Sequence, residues 1–407
     1  MKLNAPRART DLEFIPIRQS NQMVVVVRDQ LGLVREGTAL PSELFELMSL
    51  LDGSHTLRDL QMFMMRKKGG MLVGIDEVQA IIDQLDQYCL LESEKFIESR
   101  DKIVSEFVSS TLRPCSHCGT WYPANKGELE QRVEQILSQA SVDAHPKGDS
   151  VIALVAPHID LNVGTKGYAN AYTWLGSLDA SRVIVLGVGH QMREGLFCLT
   201  AKDFETPLGL IRTDKDAVSE LQGTVQQGLT PDDFPHRSEH SIEFQALFLK
   251  YLSKGEEFRI VPILCGSLWT GSSAYNRAIF VEKAGPFLER LQEMLQDKDN
   301  PTIIVAGIDL SHIGPKFGHD APAAYLKGPA QAHDHALLDA ALALDPEAFW
   351  EESTRVKDRY NVCGFTVLAC LLEVLPESKG QLLHYEMWFE PPTQSAVSFC
   401  AAGFTRV

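Results

Sequence analysis

Residues 303–312 read IIVAGIDLSH. The run is apolar up to Gly307-Ile308 and then passes directly into Asp309 and His312. Two other stretches have the same form: VIALVAPH, residues 151–158, ends on His158, and VIVLGVGH, residues 183–190, ends on His190. Unbroken apolar runs of this length suit strands buried on both faces, as in a parallel sheet covered by helices. Open α/β sheets bind ligands in the crevice beyond the carboxyl ends of their strands, where the sheet fixes the loop roots and the loops carry chemistry. Three such ends therefore point to one crevice.

Outward from these runs, residues 258–264 supply another β-rich stretch and 302–306 the start of the first one quoted. Amphipathic segments at 167–175, 241–252, 278–295, 335–344 and 364–375 alternate with them and predict helices. The fold expected for residues 110–407 is α/β with a mainly parallel central sheet.

The first 96 residues read as a separate small α+β, winged-helix-like domain. An extended run at 23–27 and a short strand near 31–34, joined across Asp29-Gln30, precede helices at 41–51, 56–65 and 76–89. Thr56-x-x-Asp59 is a capping pattern for the second helix. Residues 97–109 read as a linker inside a charged, irregular stretch from 93 to 123. A chain of 407 residues exceeds what one core usually organises, in keeping with two domains.

Charge narrows the function. Acidic side chains number 54 and basic ones 38, a net charge of -16, which disfavours nucleic acid and anionic membrane surfaces as partners. Arg66-Lys67-Lys68 reads as a favourable helix C-terminus. The N-terminal stretch lacks an apolar signal region and no run reaches the roughly 20 apolar residues of a membrane span, so a cytoplasmic protein is expected. The eight cysteines read as reduced thiols. Phosphate-loop, GxGxxG, GxSxG and HExxH motifs are missing, which disfavours nucleotide-driven chemistry and serine hydrolysis.

Cys363, in NVCGFTVLACLLEVL, stands just before an apolar helix, where the dipole and unpaired N–H groups favour a thiolate. Imidazoles with a thiolate suit zinc, copper or iron rather than magnesium or calcium. Each of these residues alone has a plain structural reading, as a turn histidine or a small buried cysteine. Their shared placement is what makes a buried site the expectation.

In order, APHIDLNVGTKGYANAY (156–172), VLGVGH (185–190), TPLG (206–209), EHSIEFQ (239–245), GIDLSH (307–312) and NVCG (361–364) resemble the Memo family. More narrowly they look like its prokaryotic branch, AmmeMemoRadiSam system protein B. The resemblance covers residues 110–407 and implies a fold like that of class III extradiol dioxygenases. It implies metal ligation by His158, His190 and Cys363, with Asp309, His312 and His240 completing the pocket and His312 in the place of an acid/base histidine. Iron(II) is the metal expected first, with copper or zinc as alternatives. Cys363 stands where the dioxygenases carry a carboxylate, which weakens a ring-cleaving reading.

The functional expectation is therefore a metal-dependent redox enzyme or maturation factor working with radical-SAM and AMME-type partner proteins. The alternatives are a non-enzymatic peptide- or protein-binding scaffold and an extradiol ring-cleaving dioxygenase. The N-terminal domain resembles the PqqD-like peptide-binding modules, so a protein or peptide partner is expected there. Cys115-Ser-His-Cys118 lacks a second CxxC to complete a zinc site; a redox dithiol is one reading of the pair, and two linker-proximal cysteines without a shared role is the favoured one. His333 and His335 read as surface residues. Glu239 and Glu243 either orient a pocket histidine or form an exposed acidic face.

Overall fold

In the computed structural model, which describes residues 4–19, 22–143, 151–224, 228–268 and 275–407, the chain divides into two units, Met1–Ser109 and Ser110–Val407. In the first, strands β1 (Glu13–Gln19), β2 (Gln22–Arg28) and β3 (Ala39–Pro41) form an antiparallel sheet in that order. Helices α1 (Ser42–Met48), α2 (Leu57–Lys67), α3 (Ile75–Gln87) and α4 (Glu94–Ser109) follow. Thr56 and Asp59 form the capping box, each side chain bonding the other's backbone N–H. Leu47, Leu60, Val78, Ile82 and Leu85 from α1 to α3 share one apolar core.

Two expectations for this unit are corrected. Residues 31–34 are not a strand: the Asp29 carboxylate accepts from the N–H groups of Leu31, Leu33 and Val34 at 3.0, 2.9 and 2.8 Å. With those donors bonded to a side chain, no ladder forms, and β2 pairs with β1 and β3 instead. The expected linker at 97–109 is part of α4. Ser93 Oγ accepts from the Phe96 N–H at 3.2 Å, and Phe96 and Phe107 are buried along the helix. Its dense charge hid this amphipathic spacing.

In the second unit, β4 (Leu112–Arg113) and α5 (Lys126–Leu137) precede β5 (Val151–Ala156), α6 (Thr165–Leu175) and β6 (Arg182–Val188). Short strands β7 (Phe197–Leu199), β8 (Asp203–Phe204) and β9 (Arg212–Thr213) lead to α7 (Lys215–Thr224) and α8 (His240–Leu252). Next come β10 (Arg259–Cys265), α9 (Arg277–Gln296), β11 (Thr302–Gly307) and β12 (His312–Ile313). Helices α10 (Ala323–Leu342), α11 (Pro346–Val356) and α12 (Phe365–Val374) precede the hairpin β13 (Ser378–Glu390) and β14 (Ser395–Arg406).

Among the described residues, nine strands form one sheet, ordered β12-β14-β5-β11-β6-β10-β7, with β13 on β14 and β9 on β10. The central four, β5-β11-β6-β10, are parallel, while β14 runs antiparallel to β5. Alternation sorts each central strand between two cores: Ile184, Leu186 and Val188 face one, Val183 and Val185 the other. Helices α9 and α12 cover the first face, and α6 and α8 the second. A fully buried Val, Ile or Leu contributes about 1.5–3 kcal/mol, so these strands anchor the fold. The β13–β14 hairpin was not anticipated, because β14 is rich in Ala, Ser and Gly, which carry little strand signal.

Helix α10 begins at Ala323, earlier than expected, and passes through Pro329. His333, expected at the surface, is buried with Nδ1 2.7 Å from Glu352, while His335 is exposed. Residues two apart on a helix lie about 200° apart, so one of the pair faces inward. Among the described residues no helix is long and apolar enough to cross a membrane.

Candidate metal centre

The parallel register aligns Gly307 of β11 with Ala156 of β5 and Gly187 of β6, so the three strands end at one edge. Beyond that edge lie Pro157-His158, Gly189-His190 and Ile308-Asp309. Gly307 permits the convergence: a Cβ there would lie 2.3 Å from the Ser241 carbonyl oxygen, so only glycine lets the start of α8 approach β11 this closely. Gly364 does the same for the Cys363 loop, where a Cβ would lie 2.7 Å from the Asp309 carbonyl oxygen. His158, His190 and Cys363 consequently bring their ligand atoms within 4.8 Å of one another.

Hydrogen bonds define the imidazole tautomers. His158 Nδ1 lies 3.0 Å from the Gly307 carbonyl and must donate to it, leaving the lone pair on Nε2, 3.5 Å from Cys363 Sγ. His190 Nδ1 lies 3.0 Å from Glu239 Oε1 and donates to it, so Nε2 is the nitrogen turned to the cluster. Asp309 receives the backbone N–H groups of His158 and Ile159 on Oδ1 at 3.1 and 3.3 Å, and Oδ2 is 3.5 Å from His158 Nε2. His240, at the first position of α8, stacks on His190 with ring centroids 4.9 Å apart and stands 5.2 Å from the His158 ring. His312 donates from Nδ1 to the Leu310 carbonyl at 2.9 Å.

Burial dominates the electrostatics. It pushes His158 and His240 below the usual histidine range despite the pull of Asp309 and Glu239, and takes His312 down to about 4. All three rings are neutral at pH 7 and keep a lone pair. For Glu239, burial works against ionisation, but the attraction of His190 and its hydrogen bond prevail and hold the carboxyl below its ordinary range. Burial and the neighbouring Asp309 charge push the Cys363 thiol well above its ordinary value. Cys363 precedes the Gly364 N-cap of α12, where the loss of water works against the helix dipole. A cation would have to displace its proton. Of the site expected to be buried, His158 is buried and Cys363 partly so, whereas His190, on the loop leaving β6, is exposed.

The structure thus brings His158, His190, Cys363, Asp309 and His240 together, with His312 following on β12. Glu239 and Glu243, four residues apart, divide their roles: Glu239 bridges His190 and His240, whereas Glu243 forms a buried ion pair with Arg113. His117 and Trp121 were not expected at the pocket. Their rings lie 5.9 and 5.4 Å from that of His240, at the rim. Glu243 holds His117 there by accepting its backbone N–H at 2.9 Å, and Arg113 donates to the carbonyls of His236 and Glu239 at 3.0 and 2.8 Å, roles that sequence spacing does not signal.

The family model for Memo-like proteins matches residues 113–403, a span that includes each of these residues. The chain belongs to the Memo family. It is 30% identical to a MEMO1 family protein of Aquifex aeolicus over 93% of this chain and 95% of that one. It is 29% identical to a MEMO1 family protein of Thermus thermophilus over 81% of this chain and 94% of the relative. A memo-1 homolog of Caenorhabditis elegans shares 26% identity over 70% of this chain and 77% of its own. The Memo model begins after the first unit, whereas the Aquifex likeness, at 93% of the chain, extends into it.

Proposed function

We propose that this Memo-family protein binds a transition metal on His158 Nε2, His190 Nε2 and Cys363 Sγ, iron(II) first, with copper or zinc as alternatives. The observation that carries this is the approach of the three ligand atoms to within 4.8 Å of one another, with both imidazole Nδ1 atoms held by acceptors. Two nitrogens and a sulfur are a borderline-to-soft donor set that hard cations do not favour. Bound there, such a metal supplies Lewis acidity and, for iron or copper, one-electron redox chemistry.

The chain's own groups suit a redox enzyme or maturation factor. Glu239 orients His190, Asp309 anchors the His158 loop, and His312, neutral with its lone pair on Nε2, can accept a proton near the cluster. Exposure of His190 gives a substrate access from solvent. This reading places the chain in the AmmeMemoRadiSam system protein B branch, with a class III extradiol dioxygenase-like fold and radical-SAM and AMME-type proteins as working partners. The first unit serves as a PqqD-like, winged-helix-like module that takes a peptide by strand addition at β1 or β3, the edges of its three-stranded sheet.

One observation favours a second reading, extradiol ring cleavage. Asp309 Oδ2 is 3.5 Å from His158 Nε2, so a carboxylate is available beside two histidines. Elemental analysis of protein purified anaerobically without a metal-binding tag tests the first reading. Equal metal retention by the wild type, His158→Ala and Cys363→Ser overturns it. Oxygen uptake with a catechol panel after iron loading tests the second, and ring cleavage would establish it.

A further inference from the structure

Cys115 and Cys118 read in sequence as two cysteines without a shared role, yet their Sγ atoms lie 2.7 Å apart. Both are partly buried against the apolar core on the α8 side of the sheet. The two residues between them are held by one buried carboxylate. Glu243 accepts the Ser116 N–H at 3.1 Å, the Ser116 hydroxyl at 2.8 Å and the His117 N–H at 2.9 Å, and it also bonds the Tyr122 hydroxyl. Arg113 balances its charge from the residue pair preceding Cys115 and donates to Ser116 Oγ at 3.1 Å. A CxxC loop clamped at its centre cannot separate its sulfurs by local main-chain drift, so little order remains to be gained on closing a bond of about 2.05 Å.

We propose that Cys115 and Cys118 are a reversible dithiol–disulfide couple, a second redox site at the rim of the crevice, with a low-molecular-weight disulfide as its oxidant. One of the two thiols loses its proton to solvent and its sulfur attacks one sulfur of the small disulfide, forming a mixed disulfide and expelling one small thiolate, which takes up a proton. The other cysteine then gives its proton to the departing thiolate while its sulfur displaces the second small thiol from the first, and the Cys115–Cys118 bond forms. Two electrons and two protons leave the protein, and the small disulfide becomes two thiols. Burial, the adjacent Cys118 and the Glu243 charge push the Cys115 thiol up from its ordinary value. His117, between the two cysteines in the chain, packs 5.0 Å from Trp121 and 5.9 Å from His240, which sets the couple beside the pocket rim.

The inference does not rest on the metal reading, and its test excludes metal. Full-length protein is reduced, kept in chelator and equilibrated across ratios of reduced to oxidised glutathione. It is then quenched in acid, alkylated and mapped by mass spectrometry. The expected result is a peptide containing Cys115 and Cys118 that loses two hydrogens in one two-electron transition and regains them with dithiol reductant. In Cys115→Ser and in Cys118→Ser, glutathione remains as an adduct on the cysteine that is left, and no ring closes. A peptide that stays fully alkylated at every ratio, or that carries two glutathiones without closing the ring, overturns the proposal.

Discussion

Glu239 holds His190 at two points, accepting its backbone N–H at 3.1 Å and its Nδ1 proton at 3.0 Å. The same carboxylate accepts the Ser241 N–H at 2.9 Å at the start of α8, so one buried charge ties the loop after β6 to that helix. Outer partners of this kind set the tautomer and basicity of a ligating imidazole. Glu239→Gln is expected to lower zinc affinity by roughly 10–100-fold, read by competition with a chromophoric chelator. An unchanged affinity in a folded variant removes Glu239 from that role.

Cys363 carries its proton at neutral pH, whereas His158 is already neutral. Metal binding must therefore displace one thiol proton, and affinity should rise about tenfold per pH unit between roughly pH 6 and 8. Cys363→Ser should both weaken binding of a soft metal and flatten that slope. Cys370→Ser, buried further along α12 in the apolar core that Cys363 also borders, should change neither. Zinc titrations at several pH values check this.

His312 stands apart from the three ligand atoms and keeps a lone pair on Nε2. His312→Ala is expected to retain metal at the wild-type level while abolishing any step that needs a proton acceptor. Metal content and turnover measured on the same sample separate the two effects. A variant purified without metal would make His312 a ligand and sink the acid/base assignment.

Arg113 and Glu243 are both buried, so removing either leaves a charge without its partner. Arg113→Met should cost about 3–5 kcal/mol in urea unfolding. The double variant Arg113→Met, Glu243→Leu should recover much of that loss, because no charge then remains buried. A double variant no more stable than the single one would show that the other hydrogen bonds of Arg113 and Glu243, not the ion pair, carry the effect.

His236 is fully buried and donates from Nε2 to the Cys198 carbonyl at 3.0 Å; burial lowers its pKa to about 4. Above about pH 6.5 it is neutral whether folded or unfolded and adds no pH dependence. As pH falls from about 6.5 towards 4 the unfolded chain takes the proton first, so stability declines, by about 3 kcal/mol once both states are protonated. Urea midpoints measured from pH 7.5 to 4.5 should fall less steeply in His236→Gln than in the wild type.

The sequence by itself determined the strands β5, β6, β10 and β11 and the polar residues that end three of them. Buried parallel strands write their burial into consecutive apolar residues, a signal complete within six or seven positions. The Thr56–Asp59 capping box was legible for the same reason, its partners lying three residues apart. Only the tertiary structure decided what the strand ends meet. Cys363 Sγ lies 3.5 Å from a histidine 205 residues earlier because the sheet order sets β5 beside β11 and Gly364 lets the Cys363 loop reach Asp309. It likewise divided Glu239 and Glu243 between two sites, exposed His190, kept the Cys363 proton in place and pressed Cys115 against Cys118. Each of these outcomes depends on burial and on charges brought in from distant strands and loops, quantities that no local spacing records.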